Sequence, residues 1–130
     1  MENIFADFEV ISTYTRKEAI EDGTLVDVSA NFPDLCRRYY KYPIAVTGAV
    51  WQIIQKAVNC TRYANDYRGV IADILWMSQK AISQRIDESQ HLFSVIITGT
   101  GRRKHHTFKI ICHPGDDGEA CLTIMLPNED

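Results

Sequence analysis

The sequence predicts an α+β fold: a C-terminal antiparallel three-stranded meander covered by two main helices, with a short N-terminal strand-helix-strand unit. Three observations carry this expectation. Apolar residues recur at a helical period between Gly48 and Ile86. From His91 onward the period changes to two. The links between the later strands are short and rich in glycine, which favours antiparallel neighbours. A length of 130 residues favours one domain, 1–130, able to bury a core without disulfides or metal.

Residues 1–8 read as a loosely held arm with Phe5 and Phe8 as anchors, and Glu9–Thr13 as a short β-branched strand. Thr15 and Glu18 fit a capping box opening a helix from Arg16 to Asp22. Gly23 sits where a left-handed residue ends such a helix. Thr24–Val28 then alternates, with Val26 and Val28 expected on the buried face and Leu25 and Asp27 on the other. Pro33 suits the first turn of a helix to Tyr39, and Pro43 ends the basic, aromatic run that follows. Thr47 can cap a helix over Gly48–Val58, whose stripe is Ala49, Val50, Ile53, Ile54, Ala57 and Val58. Asn65 or Asp66 opens the longest helix, to about Ile86, with Val70, Ile71, Ile74, Leu75, Ala81 and Ile82 as its core stripe. Leu92–Ile97, Phe108–Cys112 and Cys121–Leu126 read as the three strands. Both of their faces carry apolar residues, so either helices or a partner are expected on each, or the edge is paired.

Composition narrows the function classes. A hydrophobic share of 45% and a charged share of 24% fit a globular protein rather than a disordered one. A net charge of −3 argues against general nucleic-acid or anionic-membrane binding, which draws on clustered Lys and Arg. The acidic start, Met1–Asp7, does not resemble a signal peptide, and no apolar run reaches the roughly 18 residues of a membrane span. The four cysteines are widely spaced and are expected as free thiols, with Cys112 and Cys121 placed to face each other across a strand pair. A cytoplasmic location is expected, with no cofactor, no metal and no membrane partner.

Four blocks carry a resemblance. They are Tyr14-Thr15-Arg16 with Ala19–Gly23 and Leu25–Val28; Tyr42–Thr47 with Ala49-Val50-Trp51; Asp73–Met77; and Pro114–Glu119 with Leu122–Pro127 and Glu129-Asp130. In order and spacing they resemble a family of small uncharacterised bacterial proteins, over nearly the whole chain. That family is similar to proteins encoded on plasmids, phages and other mobile or cassette-borne elements. The resemblance implies domain limits and a mobile-element setting, and no catalytic residue. His113 departs from it, standing where Gly is expected before the turn.

Four groups of residues are candidate sites, each with a plainer structural reading. His113, Asp116, Asp117 and Glu119 have ligand atoms for a hard cation, but their spacing does not match a calcium loop, and a polar hairpin turn accounts for them. Arg102, Arg103 and Lys104, in the loop 99–106, suit phosphate contacts, with Tyr39, Tyr40 and Tyr42 as base-stacking partners if they lie nearby. A solvated loop is the alternative. Tyr14, Arg16 and Asp27 suit an anion or nucleotide site, against capping and ion pairing. Gly69, Ala72 and Trp76 share the back of the longest helix and suit a partner helix or homodimer, against a second buried face. No Ser-His-Asp, Cys-His or phosphate-loop pattern appears. The leading expectation is a non-enzymatic binding protein with a protein partner or a second copy of itself. Nucleic-acid binding and a small enzyme are the alternatives.

Overall fold

The structure, a computed structural model, describes residues 15–85 and 87–129. The expected arm, the strand Glu9–Thr13, Tyr14 and the helix end at Ile86 lie outside the described residues. Among the described residues five helices and five strands follow in order: α1 (Arg16–Glu21), β1 (Leu25–Asp27), α2 (Val28–Asn31), α3 (Pro33–Arg37), β2 (Ile44–Thr47), α4 (Gly48–Asn59), α5 (Tyr67–Gln84), β3 (Gln90–Ile96), β4 (His105–Pro114) and β5 (Ala120–Met125).

The strands form one sheet in the order β1-β2-β5-β4-β3. It is larger than the three-stranded meander expected. Strands β3, β4 and β5 are antiparallel neighbours, and β5 continues through a parallel pairing into β2, which pairs antiparallel with β1. Strand β2, Ile-Ala-Val-Thr, is buried at every position, so it shows no alternation for sequence reading to find. Val28 is not the end of a strand. Asp27 accepts from the Ala30 amide and starts α2 there, while Val28 is still buried in the core.

One sheet face packs under α4 and α5. Ile44, Val46, Leu122, Ile124, Phe108, Ile110, Phe93 and Val95 meet Val50, Ile54, Ala57, Val70, Ile71, Ile74 and Leu75 in one cluster. Asp66 caps α5 by accepting from the Gly69 amide at 2.8 Å.

The opposite face carries α1, whose six residues are too few to hold a helix alone. Every early amide of α1 has an acceptor. Thr15 N donates to Glu18 Oε1, Glu18 N to Thr15 Oγ1, Arg16 N to Asp116 Oδ1 at 2.8 Å, and Lys17 N to Asp116 Oδ2 at 3.1 Å. Asp116, from the β4–β5 turn, thus caps a helix a hundred residues away. Gly23, at φ +86°, then turns the chain in the left-handed region. Cys112 and Cys121 do not face each other. The register sets Cys121 opposite His113, which leaves Cys112 one position off and on the other sheet face, and all four cysteines are free.

Candidate functional site

The two edges of the sheet differ. Strand β1 is three residues long and ends in an acid, both of which discourage further pairing. Strand β3 is seven residues, Gln-His-Leu-Phe-Ser-Val-Ile, with no Lys, Arg, Asp, Glu, Pro or Gly. Its register against β4 is unbroken from Gln90↔Ile111 to Ile96↔His105, so no bulge turns it away. Among the described residues nothing pairs with its other side.

The direction of its backbone follows from two bonds. Cys112 N donates to Ser89 O and Ile97 N to Lys104 O, both at 2.8 Å, at the two ends of this register. Antiparallel ladders alternate bonded and unbonded pairs. The odd positions of β3 are therefore bonded to β4, and the amides and carbonyls of Gln90, Leu92, Ser94 and Ile96 point to the open edge. Phe93 and Val95 turn under the helices, while Leu92 and Ile96 remain 63% and 58% exposed on the other face.

Helix α5 runs beside this edge. Its core stripe needs only one side, and Trp76 projects from the other, 51% exposed, with Lys80 Nζ 5.0 Å from its ring centroid. Trp76, Met77, Asp73, Ser94, Val95, Ile96 and His105 line a groove of about 380 Å³. Trp76 is thus not a second buried face. Gly69 and Ala72 have intramolecular roles on the same side: a Cβ at Gly69 would come within 2.8 Å of the capping Asp66 Oδ1, and Ala72 packs at the margin of the core.

Arg16 and Asp27 do not converge on one ligand site. Asp27 Oδ1 accepts from Ser29 Oγ and the Ala30 amide, while Arg16 donates to Thr123 Oγ1 and Leu122 O, each at 2.8 Å. Thr123 in turn bonds His113 Nε2 at 2.8 Å, and His113 Nδ1 lies 3.1 Å from Pro114 O, a pure acceptor. A neutral His113 therefore carries its proton on Nδ1 and accepts from Thr123. These groups line a hollow of about 510 Å³ with Thr47, Met125 and Glu129. Glu129 Oε1 accepts from Thr47 Oγ1 and the Leu126 amide. The polar atoms here answer one another and hold α1 and the 126–129 turn to the sheet. The buried Cys121 thiol beside His113 is pushed up, chiefly by desolvation, with the nearby Arg16 guanidinium opposing, so it stays protonated at neutral pH. Among the described residues no three His, Cys, Asp or Glu side chains gather as metal ligands. Asp117 and Glu119 are exposed on the turn.

Arg102, Arg103 and Lys104 are exposed at the β3–β4 hairpin tip, which Thr100 holds by bonds to Arg103 O and His106 Nε2. His106 has its pKa lowered by burial and then by Arg103. The tyrosines lie elsewhere. Thr98 meets Asn65 just before α5, whereas Tyr40 and Tyr39 meet Ser78 and Gln79 two-thirds along it. At 1.5 Å per residue those levels are roughly 18 Å apart. Tyr40 is partly buried against the core, with its hydroxyl bonded to Ser78 Oγ at 2.7 Å.

Sequence reasoning missed Leu92, Ser94 and Ile96 as surface residues, because apolar alternation alone does not say which strand lies at an edge. The absence of any charge in β3 was the available signal.

Among the described residues, these observations define an α+β domain whose long β3 edge is unpaired and in which no catalytic group is seen assembled. The chain belongs to the family described as "Family of unknown function (DUF6573)", which matches residues 1–130. No curated protein matches the chain, and no solved structure does. No helix among the described residues is long and apolar enough to cross a membrane.

Proposed function

We propose that the chain is a non-enzymatic binding protein that works through the β3 edge and the Trp76 face of α5. The observation that carries this reading is the seven-residue uncharged edge, its backbone groups directed outward, flanked by three exposed apolar side chains. Native edges are ordinarily shortened, charged or bulged. An edge with none of these devices suits strand addition, in which main-chain bonds supply affinity and flanking side chains supply selectivity. Free cysteines support a cytoplasmic setting, and the sequence resemblance alone supports a mobile-element origin.

Photocrosslinking in cells producing the full chain tests the surface whatever its partner. A photoreactive residue at position 92 or 96 is expected to give a discrete adduct, and one at the exposed Lys56 none. Absence of an adduct at both 92 and 96 refutes the reading. The nucleic-acid alternative rests on the exposed Arg102, Arg103 and Lys104. It requires a mobility shift that weakens steeply with salt and disappears on charge reversal of those three residues.

A further inference from the structure

We infer that the partner on this edge is a second copy of the same chain, joined β3 to β3 about a two-fold axis perpendicular to the sheet through Ser94. This rests on the proposed use of that edge for binding. The edge-directed positions are Gln90, Leu92, Ser94 and Ile96, symmetric in chemistry about Ser94. Antiparallel self-pairing centred there places Ser94 opposite its own copy. It sets Leu92 opposite Ile96 of the second copy and Ile96 opposite its Leu92. The two most exposed aliphatic side chains thus cover each other on one face. Every edge amide and carbonyl between them finds a partner, and the register is isologous, as a closed two-fold requires.

The helix layer agrees independently. An axis normal to the sheet keeps both helix layers on one side and brings α5 alongside its copy, running antiparallel. Trp76 and Met77 line the groove with Ser94 and Val95, so the axis crosses α5 at their level. Reflected about the midpoint between Trp76 and Met77, Asp73 stands level with Lys80 of the second copy, and Trp76, less than one residue's rise of about 1.5 Å from the axis, meets its own copy there. Asp73, Trp76 and Lys80 are all exposed and share one stripe at i, i+3 and i+7. Opposite charges therefore meet twice around a central aromatic pair. Within one chain Asp73 and Lys80 are two turns apart, roughly 10 Å along the axis, so their complementarity is directed between copies.

Sedimentation equilibrium of the full chain is expected to give twice the 14.8 kDa chain mass. Leu92→Lys should raise the dimer dissociation constant by more than about tenfold, since it sets a charge against an aliphatic partner. Its melting temperature at high dilution should match that of the wild-type monomer, which separates lost pairing from lost folding. Disulfide trapping in a Cys112→Ser background reads the register. Ser94→Cys should crosslink to itself, because hydrogen-bonded opposite residues lie about 5.5 Å apart at Cα. Leu92→Cys mixed with Ile96→Cys should also crosslink. Leu92→Cys alone should not, since its copy lies about 13 Å along the strand. Asp73→Lys should weaken the dimer, and Asp73→Lys with Lys80→Asp should restore it. A monomer at all concentrations, or crosslinking of Leu92→Cys alone in preference to Ser94→Cys, overturns the inference. Adducts at 92 or 96 whose mass is not that of two chains overturn it while leaving the edge reading standing; no adduct at either position removes both.

Discussion

Asp116→Ala tests whether the acidic turn is a helix cap. The wild-type carboxylate takes the first two amides of α1, at 2.8 and 3.1 Å. Both amides are exposed and pass to water in the variant, so only the net value of the bonds is lost. A cap is worth about 1 kcal/mol and a carboxylate at a helix N-terminus adds about 0.3–1 kcal/mol, which together give about 1.5 kcal/mol. An unfolding entropy of about 2.1 cal/mol/K per residue, taken over 130 residues, converts this to a fall in melting temperature of about 5 °C. Asp116→Asn keeps an acceptor oxygen and loses the charge, and should fall about half as far. Thermal unfolding by circular dichroism reads both, at low and high salt, with the charge-dependent part shrinking at high salt. A cation-ligand role predicts something different: calcium would stabilise the wild type and not the variant. An Asp116→Ala protein melting within about 1 °C of wild type, or wild type stabilised by calcium, refutes the capping account.

Three further outcomes are expected. Phe108→Ala removes a fully buried ring that meets Phe93 edge-on at 5.9 Å, and should destabilise by about 3–5 kcal/mol in urea titration. Stability should fall as pH rises from about 9 towards 12, because burial pushes Cys36 up to about 11 and Tyr40 up to about 12. The unfolded chain loses these protons first, so the native state binds more of them and unfolding is favoured with rising pH. Tyr40→Phe should flatten the upper part of that profile, as read from urea midpoints. In the native protein a thiol reagent should label exposed Cys112 rapidly and buried Cys36 and Cys121 only slowly, with all four labelled in denaturant; mass spectrometry after partial labelling checks the order.

Local chemistry was legible wherever one segment determines its own shape. The Thr15–Glu18 box, Gly23, the Thr47 and Asp66 caps and the stripes of α4 and α5 all stand near where the sequence places them. Non-local pairing was not legible. Nothing in Ile44–Thr47 announces a strand, because burial on both faces removes the alternation that marks one. Nothing in Asp116 announces its helix, since a turn acid and a distant cap have the same sequence signature. Arg16 was read as a candidate anion-binding group, and its guanidinium bonds Thr123 and Leu122, over a hundred positions on. Trp76 was legible as standing opposite the core stripe. Its setting beside an open edge required knowing that β3, rather than β4 or β5, is outermost.

The strand order has a consequence for synthesis. Strand β5 is the last of the five to be made, and it lies at the centre, between β2 and β4. Until it emerges, β1–β2 and β3–β4 are separate hairpin-like pairs, and the parallel seam from Ile44↔Leu122 to Val46↔Ile124 cannot form. The apolar strands β2 and β4 are each left with an unmatched side during that interval. Joining them closes a loop of more than seventy residues, the slow kind of step in which exposed strands meet the wrong neighbours. Residues 120–125 are thus the keystone, and a ribosome stalled before them would hold two half-sheets prone to pair with other chains.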